Sequence, residues 1–187
     1  ELSVKLKKSL SKTIHYLDKE MEEEYRKLLQ DSIALNKSVI SDSHLAYLHA
    51  RSYFEKDLKS DFFSFYLTKA LANWQAHDVF DKAKLGLLLI NTGIEKETTS
   101  LIYSSIKDAI ILDSEKGAYW KTNKIYFESF DYNIKQHGIA MRFINKVVPN
   151  DPIQQDLTKW LYFQKKNTSW GETNSTTLNA VCILIKH

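Results

Sequence analysis

The chain has 187 residues, 43% of them hydrophobic and 26% charged, a balance that fits one domain, or part of a larger one, and excludes wholesale disorder. Its 26 basic and 23 acidic residues leave a net charge of +3. These charges are spread rather than clustered, which argues against nucleic acid or an anionic membrane as partner. Five glycines and two prolines, Pro149 and Pro152, favour long helices over a sheet with many tight turns.

Residues 3–30 carry Leu6, Leu10, Ile14, Leu17, Met21, Tyr25 and Leu28. Steps of three and four place these side chains on one face and predict a long first helix. The run Asp18 to Lys27 mixes both signs at helical spacing and reads as a solvated face. Gln30 to Val39 is expected to be a linker, with Ser41 or Ser43 capping a helix over 44–54. A stripe of Phe63, Leu67, Ala70, Leu71 and Trp74 predicts the next helix, 60–76. Asp78 is placed to cap a helix that closes at Asn91-Thr92-Gly93. Its run Leu85 to Ile90 has almost no polar face and predicts burial on most sides.

The pattern recurs over Glu95–Leu112, Asn133–Val148 and 151–166, where Asp151-Pro152 is a strong helix start. A final helix is expected from about Glu172 to the end. Between them, Asp113 to Tyr132 holds Gly117, Tyr119, Trp120, Tyr126, Phe127 and Phe130. So many aromatics outside a helical pattern predict an ordered loop or short hairpin packed on a surface. Eight helices are thus expected, with amphipathic ones (60–76, 95–112, 151–166) alternating with more buried ones (43–54, 79–92, 173–187). The fold class is all-α, built of alternating helical hairpins as in a solenoid or an α/α toroid. The chain reads as an N-terminal helix and linker over 1–40 and a helical region over 40–187.

The chemistry-bearing residues form no catalytic constellation in the sequence, and no enzymatic activity, cofactor or metal is expected. His44 and His49 lie five apart, on different helix faces, whereas a zinc-binding helix uses a spacing of four. There is no phosphate-binding glycine loop and no nucleophile elbow. The single cysteine, Cys182, sits in the apolar run Asn179 to Leu184 and is expected to be a buried structural thiol. Arg51 is the only arginine of its helix, and its role is open between an internal carboxylate partner and solvent or ligand. Gln136 and His137 precede apolar turns and fit either a hydrogen-bonded structural pair or the mouth of a ring. No run reaches the roughly 20 apolar residues that span a bilayer, and no signal-peptide pattern opens the chain. A start at Glu1 and a stop at His187, directly after the apolar run 180–185, lead us to expect a piece of a longer protein.

Three strings in order carry a resemblance. The first is His44-Leu45-Ala46-Tyr47-Leu48-His49-Ala50-Arg51-Ser52-Tyr53-Phe54. The second is Gly117-Ala118-Tyr119-Trp120, followed by Ile134-Lys135-Gln136. The third is Lys159-Trp160-Leu161-Tyr162-Phe163-Gln164-Lys165-Lys166, leading to Ser169-Trp170-Gly171 and the Thr-rich 173–177. Together they resemble the terpenoid-cyclase-like helical domain of bacterial alpha-2-macroglobulins of the Bacteroidetes type, over about residues 40–187. Read from the residues alone, Trp160 and Trp170 flank a tight helix–helix connection, with Gln164 placed to bond its backbone and hydroxyls at 173, 175 and 176 to cap the final helix.

The resemblance implies an α/α toroid segment, a partial ring or open arc, within an envelope-located endopeptidase inhibitor that traps proteases after they cleave a bait segment. Proteases would be its partners through the full-length protein, alongside other domains of the same chain. No nucleic acid or small-molecule substrate is implied. Arg51, Trp120, Gln136, Trp160, Gln164 and Trp170 would then be structural motif residues. Many members of that family hold a thioester in a Cys-x-x-Gln motif, but here Cys182 is followed by Ile183-Leu184-Ile185. This stretch would therefore serve as frame, with no thioester of its own. Two other readings are a helical interaction module unrelated to proteases and, less well supported by the residues, an α/α-toroid enzyme acting on an isoprenoid or a polysaccharide.

Overall fold

The computed structural model describes residues 4–54, 58, 60–94, 96–121, 130–165 and 174–185. They are mostly helical, with one small two-stranded sheet, and the chain divides into two compact units, residues 1–74 and 75–187.

The first unit opens with α1, Val4–Leu29, followed by α2, Ser32–Lys37. The second of these corrects the expected linker. Asp31 accepts hydrogen bonds from the backbone N–H of Ile33 (2.9 Å) and Ala34 (3.1 Å), and this cap organises one short helix that is too brief to show a period. Lys69 supports its other end, donating to the carbonyls of Leu35 and Asn36. Helix α3 spans Asp42–Arg51 and is capped by Ser41 as expected. Its ring partner is His44, whose Nδ1 accepts from the Ser41 N–H at 3.1 Å, so a histidine takes the place usually held by Glu or Gln in a capping box. The helix stops three residues earlier than predicted. Ser52 Oγ donates to the His49 carbonyl at 2.7 Å, a local bond of the kind that competes with helix continuation. Helix α4, Asp61–Ala72, and a separate 3-10 turn, Trp74–Ala76, replace the single helix expected over 60–76. Ile14, Met21, Leu45, Leu48, Phe63, Tyr66 and Ala70 are buried in this unit.

In the second unit, α5 spans Val79–Thr92. Asp78 caps it through the N–H groups of Phe80 and Asp81, and Gly93, at φ 71°, closes it in the left-handed conformation that favours glycine. Leu85, Leu87, Leu88 and Leu89 are buried, because α5 packs against both α6, Lys96–Asp108, and α7, Phe130–Val147. Helix α6 ends four residues before the expected Leu112. Residues Ile111–Asp113 instead form β1, paired antiparallel with β2, Gly117–Tyr119, in the register Ile111 to Tyr119 and Asp113 to Gly117. The hairpin begins two residues before the predicted excursion, and α7 starts at Phe130 instead of Asn133. Residues 122–129 lie outside the described residues.

Helix α8 spans Ile153–Phe163, and α9 spans Asn174–Ile185. At the start of α8 it is Pro152 that occupies the cap position, while the Asp151 carboxylate still accepts from the Ile153 N–H at 3.1 Å. Helix α9 packs against α7, burying Ala180 but leaving Leu178 exposed. Cys182 is exposed too, which corrects its expected burial. An apolar sequence window does not distinguish the packed side of a helix from its open side. Nine α-helices are therefore present among the described residues, where eight were expected.

Candidate functional site

The hairpin turn is built before anything packs on it. The Asp113 carboxylate accepts from the N–H groups of Lys116 (2.8 Å) and Glu115 (2.9 Å), and these bonds hold its pKa below the ordinary carboxylate value. Gly117, at φ 92°, then returns the chain. A side chain at this position would overlap the Asp156 carbonyl and the Trp160 N–H of α8, so glycine allows β2 to lie directly on that helix. Lys159 secures the contact by donating to the Ser114 carbonyl at 2.7 Å.

The residue directly after β2, Trp120, stands at the centre of the unit. It is buried, and its indole N–H donates to the Ile106 carbonyl of α6 at 2.9 Å. Its backbone N–H donates to His137 Nε2 at 3.1 Å. On the other side of the ring, His137 Nδ1–H donates to the Asn133 carbonyl at 2.8 Å, which fixes the neutral tautomer. The imidazole stacks on Trp160 of α8, with ring centroids 3.9 Å apart and planes inclined by 19°. Phe80 of α5 closes the cluster, 5.4 Å from His137 and edge-on to Trp120 at 6.5 Å. One buried histidine thus joins the segment after the hairpin to α7 and α8.

Burial pushes the His137 pKa down to about 4, outweighing the bond that Nδ1–H donates to the Asn133 carbonyl. Both ring nitrogens are occupied and the ring is covered on its faces. A group so placed holds structure; it has no free lone pair with which to take a substrate proton. A cleft of about 320 Å³ opens beside it, bordered by Lys116, Tyr119, Asn133, Phe163 and Gln164.

The sequence-predicted residues divide accordingly. Trp120 and Trp160 meet through His137, and Gln164 borders the adjoining cleft while its backbone N–H closes α8 on the Trp160 carbonyl. Gln136 is buried, and its Oε1 has no hydrogen-bond partner among the described residues. Trp170, with the connection it was expected to staple, lies outside the described residues. Arg51 belongs to the first unit, where its Nε donates to Asp18 Oδ1 at 2.9 Å and the Tyr47 hydroxyl donates to the same oxygen at 2.6 Å. Burial first, then the bond to Asp18, raises the Tyr47 pKa well above its ordinary value.

Asp18 and Glu24 correct the reading of 18–27 as wholly solvated. Lys19–Glu23 and Arg26–Glu22 are exposed i,i+4 pairs, but Asp18 turns inward and Glu24 meets His44 Nε2 at 2.9 Å. Asp18 was legible in principle. It stands four residues after Ile14 and three before Met21, on the apolar face of α1.

A third polar cluster carried no sequence signal, because its members are far apart in the chain. The buried Asp151 carboxylate receives Lys107 Nζ at 2.9 Å and the Tyr103 hydroxyl. Burial opposes its ionisation, yet these bonds and the Ile153 N–H hold its pKa below the ordinary carboxylate value.

Comparison with known proteins finds no matching family model, no matching curated protein and no matching solved structure. Among the described residues no helix is long and apolar enough to cross a membrane.

Proposed function

We propose that this chain is a structural helical domain of an alpha-2-macroglobulin-like protease-trapping inhibitor, with its hairpins forming part of an α/α toroid. One observation carries the reading. The second and third resembling strings lie some forty residues apart in sequence, and their aromatic members, Trp120 and Trp160, meet on the two sides of His137. The neighbour of His137, Gln136, belongs to the same strings. Residues that resemble a family's scaffold motifs are thus employed as scaffold.

The side chains so gathered are spent on packing. His137 is neutral and saturated, Arg51 is held by Asp18, and Cys182 is an exposed thiol without the Cys-x-x-Gln spacing of a thioester. In this reading the reactive parts of the inhibitor, its bait and any thioester, reside elsewhere in the longer protein, in the cell envelope, and proteases engage that whole assembly.

The test uses the protein encoded by the whole gene. After exposure to an endopeptidase, it is expected to suppress hydrolysis of a large protein substrate while leaving a small chromogenic peptide cleaved, as entrapment requires. Unchanged hydrolysis of the large substrate, or equal loss on both, refutes the proposal.

A further inference from the structure

The cleft beside His137 has a lining that packing alone does not call for. Its volume of about 320 Å³ stands at the small end of pockets that hold small molecules, with room for one ring and its substituent rather than a polymer. One wall is aromatic. Tyr119 and Trp160 lie stacked, with ring centroids 6.3 Å apart and planes inclined by 21°. Phe163, three residues after Trp160 on α8, extends the same face and remains 49% exposed, so part of this wall is open to a ligand.

Two cations border the same cleft, Lys116 from the hairpin turn and Lys121 from the segment after β2, and among the described residues no carboxylate does. Lys116 Nζ lies 5.9 Å from the centroid of the Phe163 ring, so positive charge and aromatic surface stand side by side. The Asp113 carboxylate is close enough to feel the charge of Lys116, but its Oδ1 is held in the turn by the N–H groups of Glu115 and Lys116, and it does not border the cleft. A cleft lined by one sign of charge and walled by apolar rings concentrates the opposite sign. Gln164 adds a carboxamide that can donate to an anion.

These groups select the ligand by its chemistry. A neutral ring would cover the aromatic wall and leave the lysines unanswered. A bare anion would answer the lysines and leave the wall uncovered, and a cation would be repelled. A ring that carries an anionic group uses both.

We propose that this cleft binds a single-ring aromatic carboxylate, with the ring against Phe163 and Trp160 and the carboxylate towards Lys116 and Lys121. Such binding does not depend on the protease-trap reading and is tested on the 187-residue chain, without any protease.

Phenylacetate, its neutral amide phenylacetamide, and acetate are each titrated into the chain and followed by saturation-transfer NMR and by the amide resonances of the protein. Phenylacetate is expected to bind several-fold more tightly than either of the others, to shift resonances of Lys116, Lys121 and Phe163, and to weaken as salt is added. Lys116→Met and Lys121→Met are each expected to weaken it by about twofold to fivefold, the effect of a partly exposed ion pair. Lys121 is exposed, so its replacement is expected to leave the melting temperature unchanged, and lost binding is then not lost folding. Four outcomes overturn the proposal: no binding of phenylacetate, equal binding of phenylacetate and its amide, unchanged affinity in the Lys121→Met chain, or shifted resonances confined to residues away from the cleft.

Discussion

Replacing His137 with glutamine tests the central cluster through its pH dependence. In the folded chain the His137 pKa is lowered from 6.5 to about 4, so between those values the unfolded chain binds a proton that the folded chain refuses. Stability then rises with pH across this window and falls as the pH is lowered from 6.5 towards 4. At about 1.4 kcal/mol per unit of displacement, the loss by pH 4 amounts to about 3 kcal/mol. The structural cause is specific: a protonated Nε2 can no longer accept the Trp120 N–H, and the added charge is enclosed between Trp160 and Phe80. Urea unfolding followed by tryptophan fluorescence, repeated from near-neutral pH down to pH 4, measures the effect. His137→Gln lowers stability at neutral pH, because stacking and one well-placed bond are lost, but it flattens the slope over this window. The other histidines are common to both proteins, so the difference between them isolates this ring. A stability difference between parent and variant that does not change with pH refutes the assignment, as does a directly titrated His137 with a pKa near 6.5.

Two further substitutions examine the supports. Gly117→Ala is expected to destabilise by about 1–3 kcal/mol in thermal or urea unfolding, since Gly117 stands at positive φ against the α8 backbone, where neither the turn nor the helix can yield; a neutral result means that β2 does not rest on α8. Asp18→Asn weakens the partners of both Arg51 and Tyr47 and is expected to destabilise the first unit by about 1–3 kcal/mol in urea unfolding, with the Tyr47 hydroxyl titrating at lower pH in ultraviolet absorbance; a Tyr47 titration that does not move contradicts the bond.

Local features of this fold were legible in the sequence where local chemistry decides them. Ser41, Asp78 and Gly93 cap their helices as their types predict, and the long periodic stripe of α1 is a helix. Residues 110–112 were misread because three apolar side chains satisfy the end of a helical stripe as well as the start of a strand. The Asp113 turn and Gly117 decide between them, by bringing a partner strand alongside. Helix α2 escaped notice because six residues do not make a period, although Asp31 was available as a cap. The site was less visible. Trp120 and Trp160 stood out as large aromatics, but nothing local says that they share one histidine. His137 owes its role to chain segments seventeen residues before it and twenty-three after it. The bonds of Arg51 to Asp18 and of Asp151 to Lys107 are likewise tertiary, and burial, which charge patterning alone does not reveal, is what makes them consequential.

If these helices are the frame of a protease trap, as proposed, the moving and reacting parts of that trap lie outside them. Hydrogen exchange by mass spectrometry on the full-length protein, before and after cleavage by a protease, tests this most directly. Peptides covering α5, the Trp120 segment, α7 and α8 are expected to keep equal protection in both states, while protection changes elsewhere in the protein. Loss of protection at α5 and around His137 upon cleavage would contradict that role, since a frame does not open when the trap closes.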